Sequence, residues 1–115
     1  MPDDLLKPVT DATFPDDVLT SSTPVLVDFW AQWCPPCGPM ARLLSDLAPD
    51  FAGRIAFAKI NADENPESTR AYRVMAMPTL ILFKGGRPVH TIVGLRPKST
   101  IRSALENALE PYANR

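Results

Sequence analysis

Apolar positions along this chain follow two rhythms, and the change from one to the other marks its elements. Met40, Leu43, Leu44, Leu47, Ala48 and Phe51 recur at intervals of three and four, the apolar stripe of a helix. Pro49 has no N–H to continue such a helix, so its end or a kink is expected near Ala48. Ile101, Ala104, Leu105, Ala108, Leu109 and Tyr112 form a second stripe, with Pro97 suited to its first position. Continuous apolar runs mark strands instead. They are Val25 to Trp30, Ile55 to Ile60, Pro78 to Phe83 and Val89 to Val93, rich in β-branched and aromatic residues.

The stretches between these runs supply the connections. Lys84-Gly85-Gly86-Arg87 is a hairpin signal, because two adjacent glycines admit the positive φ angles of a tight turn. Asp11 to Leu19 is weakly helical, with Thr13 as its cap, Pro15 in its first turn, and Val18 and Leu19 apolar. Asn61 to Pro66 reads as a loop and Glu67 to Tyr72 as a short helix. An edge strand is expected near Leu5 to Val9. The resulting order, β-α-β-α-β-α-β-β-α, predicts an α/β fold. Its central mixed sheet has about five strands flanked by about four helices, with parallel crossovers first and an antiparallel hairpin last.

A chain of 115 residues with 45% apolar and 22% charged residues is one ordinary globular domain. Its formal net charge of -1, with no long basic run, gives no reason to expect nucleic acid. The apolar runs are strand-sized, too short for a membrane span. Met1-Pro2-Asp3-Asp4 is acidic where a secretory signal is basic, which sets the expectation of a cytoplasmic protein.

Both cysteines lie in Trp33-Cys34-Pro35-Pro36-Cys37, at the head of the first helical stripe. Two residues of separation let them close a small disulfide ring and reopen it. A helix N-terminus favours the thiolate of the first cysteine, and the thiolate is the attacking species in disulfide exchange. Zinc is the competing chemistry. It calls for four ligands, whereas the chain offers two cysteines and one histidine, His90, on a different strand. Asp28 is the one charge in its apolar run, and Lys59 the one charge in the next. From composition alone they read as a buried polar pair.

These residues together resemble the thioredoxin family, over about Val9 to Leu109. The likeness rests on Val27-Asp28-Phe29-Trp30-Ala31 leading into Trp33-Cys34 and Cys37, then Lys59, Asp63 and Asn65-Pro66. It continues through Tyr72, Met77-Pro78-Thr79, Phe83-Lys84-Gly85-Gly86 and Val93-Gly94. The resemblance implies a thioredoxin domain at residues 9–112, an N-terminal extension at 1–8 and a tail at 113–115. It implies that Cys34 is an exposed nucleophile and Cys37 a more buried resolving thiol, joined when oxidised. Asp28 would assist deprotonation of Cys37, with Lys59 as its charge partner. Pro78 would be a cis-proline facing the pair. Trp33, Pro35, Pro36, Ala62, Met77, Val93, Gly94 and Leu95 would form the substrate surface.

The implied activity is reduction of protein disulfides by a monomer. It needs no cofactor beyond the disulfide and is recharged by an NADPH-dependent flavoprotein, thioredoxin reductase. The Trp-Cys-Pro-Pro-Cys stretch also resembles tryparedoxins, nucleoredoxins and some membrane-linked thiol reductases, so a dedicated partner or donor is an alternative, and a non-redox binding module is another. The chain departs from the family pattern at Pro35, where most members have Gly, and at Gly38, often basic. It departs again at Arg42, which replaces a kink proline. Pro35 and Pro36 should stiffen the ring and can shift the helix start by a residue.

Overall fold

A computed structural model describes residues 5–110. It contains strands β1 (Lys7–Val9), β2 (Val25–Trp30), β3 (Ala56–Asn61), β4 (Thr79–Lys84) and β5 (Arg87–Val93). Helices α1 (Cys37–Leu47), α2 (Pro66–Ala71) and α3 (Lys98–Leu109) join them. The sheet runs in the order β1-β3-β2-β4-β5. β3 pairs parallel with β1 and β2, whereas β4 pairs antiparallel with β2 and β5. The fold is the expected mixed sheet with helices on both faces. The sheet begins at Lys7, and Leu6 is buried in the core beside it.

Alternation along the strands divides the core in two. Leu26, Phe57, Leu80 and Leu82 point to one face, where they meet Met40, Leu44, Leu47 and Phe51, and Ile101 and Leu105 of α3. Val25, Val27, Phe29, Ala58, Ile60, Ile81 and Phe83 point to the other, against Val9, Phe14, Val18 and Val74. Phe14, Tyr72 and Phe83 close this second core as an aromatic trio, with ring centroids 4.9–5.5 Å apart. Asp28 shares its strand face with Leu26 and so points towards α1.

Several element ends differ from the sequence expectation. The first helical segment is a single wide turn, Pro15–Leu19, closed by a bond from Thr20 N–H to the Pro15 carbonyl. Thr13 does not cap it with its side chain, because its hydroxyl is engaged by Thr10. As expected, α1 stops at Leu47, and a tighter turn over Ala48–Phe51 takes up Pro49. Pro97 stands one residue before α3 in extended conformation rather than as its first residue. Tyr112 and the 113–115 tail lie outside the described residues.

The β4–β5 hairpin turns through Gly85 and Gly86, with φ of 62° and 78°. A Cβ on Gly86 would sit 2.7 Å from the Leu19 carbonyl oxygen, so both the angle and the space demand glycine there.

α2 is capped from far along the chain. The Asp11 carboxylate accepts bonds from Ser68 N–H at 2.8 Å and Glu67 N–H at 3.1 Å. Asn65 returns the contact by accepting from Asp11 N–H at 2.8 Å, while its amide donates to the Asn61 carbonyl at 2.9 Å. Asn65 is next to the helix but makes no side-chain cap of its own.

Candidate active site: a disulfide over a buried carboxylate

The Cys-Pro-Pro-Cys segment lies between the end of β2 and the start of α1. Each of its prolines fixes a backbone angle, and Pro36 adopts helical geometry at φ −76°, so α1 begins at Cys37. The Cys37 N–H donates to the Cys34 carbonyl at 3.2 Å, and Cys34 N–H to Ala31 at 3.2 Å. The side chains of Cys34 and Cys37 are joined as a disulfide, with their Cα atoms 5.4 Å apart. Pro39 lacks an N–H and Cys37 has committed its own. The first turn therefore offers a thiolate fewer donors than a proline-poor helix start does.

The expected contrast between an exposed Cys34 and a more buried Cys37 is small in this oxidised form, where they are 7% and 5% exposed. The reason is packing. Ala31 forms a buried cluster with the two cysteines, and half-buried Trp30 and Met77 pack against it. The Met77–Pro78 peptide is cis. Thr79 follows it, its hydroxyl donating to the Ala76 carbonyl, and Gly94 N–H donates to the Pro78 carbonyl at 2.8 Å. These bonds fasten the loop before β4 to the end of β5.

Beneath the cysteines a cleft of about 260 Å³ runs into the sheet, with Asp28, Lys59, Gly38 and Ala41 among its walls. Asp28 is 1% exposed. It lies opposite Lys59 in the parallel register of β2 and β3. Its Oδ1 accepts no hydrogen bond from the described residues. Burial pushes its pKa up to about 7, against a smaller opposing pull from the Lys59 charge. A carboxylic acid that titrates near neutrality, on a cleft shared with Cys37, has the protonation behaviour of a general base or acid at physiological pH.

Around the disulfide, Trp33 is 63% exposed, Val93 48% and Leu95 43%, while Pro35 is exposed and Pro36 half-buried. These are the exposed or half-exposed members of the expected substrate surface. Ala62, expected to belong to it, is almost wholly buried; its N–H bonds the Trp30 carbonyl and prolongs the β2–β3 ladder, and the residue lines a hollow beside Asp63. Two further residues near Trp33 and the Met77 loop, to which the sequence assigns no role, belong to these surroundings. Asp63 accepts a 2.7 Å hydrogen bond from the Trp33 indole and fixes its plane. Met75 is 92% exposed, the most exposed large apolar side chain described. A lone methionine in a loop carries no periodic signal, and the Trp33–Asp63 pair spans two elements. His90 faces solvent on β5, away from the cysteines in the chain's pairing. Among the described residues no group of three or more His, Cys, Asp and Glu side chains is placed to hold a metal ion.

Comparisons with known proteins agree with this geometry. The family model described as Thioredoxin matches residues 5–107. Thioredoxin 1 of Nostoc sp. is 46% identical over 101 residues, covering 88% of this chain and 94% of that protein. Thioredoxin of Alicyclobacillus acidocaldarius is 47% identical over 102 residues, covering 89% and 96%. A bifunctional thioredoxin reductase/thioredoxin of Mycobacterium leprae is 46% identical over 101 residues, 88% of this chain but 22% of that protein. A disulfide-forming cysteine pair, a buried carboxylate behind it and a family match over nearly the whole chain lead to one conclusion: this chain belongs to the thioredoxin family, and its Cys34–Cys37 pair carries the chemistry of dithiol–disulfide exchange.

Proposed function

We propose that the reduced chain is a disulfide reductase for proteins, working from the Cys34–Cys37 dithiol and recharged by a thioredoxin reductase at the expense of NADPH. The observation that carries this reading is the disulfide lying over the Asp28 cleft. Cys34 is the attacking residue because it lies on the rim side, between exposed Trp33 and Pro35. Its thiolate attacks one sulfur of a substrate disulfide; that S–S bond breaks, a new one forms to Cys34, and the first substrate thiolate leaves and takes a proton from water. Cys37 then gives its proton to the Asp28 carboxylate and attacks the Cys34 sulfur. The mixed disulfide breaks, the second substrate thiolate leaves, and the Cys34–Cys37 bond forms. Two electrons pass from the dithiol to the substrate.

Lys59 keeps part of the Asp28 population ionised, as its charge opposes the effect of burial. Pro78 and Met77 border the cysteine pair, and the Met77 backbone pairs with an extended substrate. Trp33, Pro35, Pro36, Val93, Gly94 and Leu95 supply the docking surface. The Mycobacterium leprae relative joins a thioredoxin reductase and a thioredoxin in one chain, which supports a reductase as the electron donor here. A monomer in the cytoplasm is the setting that fits this chemistry. No helix among the described residues is long and apolar enough to cross a membrane.

The test is NADPH-coupled reduction of insulin disulfides with a thioredoxin reductase. Wild type should turn over, Cys34→Ser should fall to background, and Cys37→Ser should accumulate a mixed disulfide visible by mass spectrometry. Unchanged turnover by Cys34→Ser would remove Cys34 from the role of nucleophile. Turnover with glutathione alone would replace the reductase as donor.

A further inference from the structure

The docking rim continues past Trp33 into a second feature that the exchange reaction does not use. A groove of about 550 Å³ runs between α2 and the loop leading to Met77, bounded by Asp63, Pro66, Arg70, Arg73 and Met75. Residues at both of its ends tie it to the disulfide's surroundings. Asp63 holds the Trp33 indole at one end. At the other, Arg73 and Met75 also border a smaller hollow that reaches Val93.

The charges of this groove are unbalanced. Asp63 is its one carboxylate, and it already accepts from Trp33. Glu67 lies on the opposite side of α2, where it lines a separate hollow with Asp11 and Phe14. Among the described residues neither Arg70 nor Arg73 has an ion-pair partner. Arg73 also adopts φ 55°, the left-handed region. It occupies the position after the α2 C-cap, with Arg73 N–H donating to Arg70 and Val74 N–H to Thr69. Glycine takes that conformation with less strain, so an arginine there keeps a guanidinium at the groove edge at some conformational cost. Met75 adds an apolar wall that water leaves readily.

We propose that this groove selects disulfide substrates by binding an acidic side chain near the substrate cysteine, the carboxylate pairing with Arg70 and Arg73 and the neighbouring backbone crossing Met75. The proposal rests on the reductase reading above and names the class of protein substrate that it favours. Extended chain covers at most about 3.3–3.6 Å per residue, so a groove bordering the Trp33 rim is within reach of a residue roughly two to four positions from the cysteine. Recognition of a carboxylate by paired guanidiniums is directional and favours acidic over neutral residues.

The experiment uses peptide disulfides in which one Glu is moved through the positions flanking the cysteine, with an all-Gln peptide as reference. The expected result is one position with kcat/KM about three- to fivefold above the reference at low salt, the size of a single exposed ion pair. Arg70→Gln/Arg73→Gln should lose that advantage while reducing the all-Gln peptide as wild type does. Arg70→Glu/Arg73→Glu should transfer the preference to a Lys peptide. Equal kcat/KM for Glu and Gln peptides at every position overturns the groove's role while leaving the reductase intact. So does an equal loss on both peptides in the Gln variant. Failure of wild type to reduce any peptide overturns the reductase reading and this proposal with it.

Discussion

Two aspartates meet this fold in opposite ways. Asp11 reaches the first turn of α2, where two backbone N–H groups point at its carboxylate. Asp28 is enclosed between β2 and α1 with one oxygen unmatched. Burial pushes the Asp11 pKa up, but the bonds from Ser68 and Glu67 outweigh it, and the net shift is downwards. At Asp28 burial dominates, and the pKa rises to about 7. What separates them is the supply of hydrogen-bond donors, which for Asp11 are the Ser68 hydroxyl and two backbone N–H groups. One carboxylate stabilises the fold as an anion, whereas the other is held at a cost to stability where it can exchange protons beside Cys37.

The largest expected effect is the pH dependence belonging to Asp28. Unfolded, the group ionises from about 3.8; folded, it holds its proton until about 7. The folded state therefore binds the extra proton, and stability falls as pH rises through that window. Three pH units at about 1.4 kcal/mol each give a loss of about 4 kcal/mol, complete above pH 7. Asp28→Asn should flatten this slope in urea unfolding measured from pH 4 to 8. It should also slow the release of the mixed disulfide at pH 7 by at most about thirtyfold, since a thiol of pKa about 8.5 is about 3% thiolate without help. That deficit should shrink towards pH 9. An unchanged slope in the variant would show that Asp28 is ionised in the folded state and end the contrast with Asp11.

Asp11→Ala sharpens the comparison with the opposite sign. Loss of a cap should cost about 1–2 kcal/mol. Because the folded pKa lies below the unfolded 3.8, the stabilisation is present above about pH 4 and fades as pH falls through the lower value. Urea midpoints at pH 7 and pH 3 should differ between wild type and variant mainly at pH 7. A variant equally destabilised at both would mean that the carboxylate's charge contributes nothing.

The smallest effect concerns Ser45, which is buried in α1 with its hydroxyl unpartnered among the described residues and lies on no cleft shared with the cysteines. Ser45→Ala should stabilise by about 1 kcal/mol at every pH and leave insulin reduction unchanged. Loss of activity would show that an unmatched polar group remote from the cleft also serves the chemistry, and position relative to the sulfurs would no longer separate function from simple cost.

The amino-acid sequence by itself determined the elements and much of the chemistry. β2 falls on Val25–Trp30 because a continuous apolar run between turn signals has no other stable use. α1 ends where Pro49 forces it, and the double glycine closes the hairpin. The cysteines, Asp28 and Lys59 could be singled out as residues out of place in their surroundings, and family likeness supplied their roles. These are local signals, set by the period of the backbone and by single-residue sterics. Tertiary structure alone decided the rest. It capped α2 with a carboxylate more than 50 residues away, packed Cys34 against Met77 and Trp30, and buried Ala62 at the end of the ladder. It also aligned Trp33 with Asp63 and gathered Arg70, Arg73 and Met75 around one groove. Each depends on the strand order β1-β3-β2-β4-β5, which brings together segments that no local periodicity relates. Donors, acceptors and charges act over a few ångströms, so their partners are fixed only when the sheet has formed.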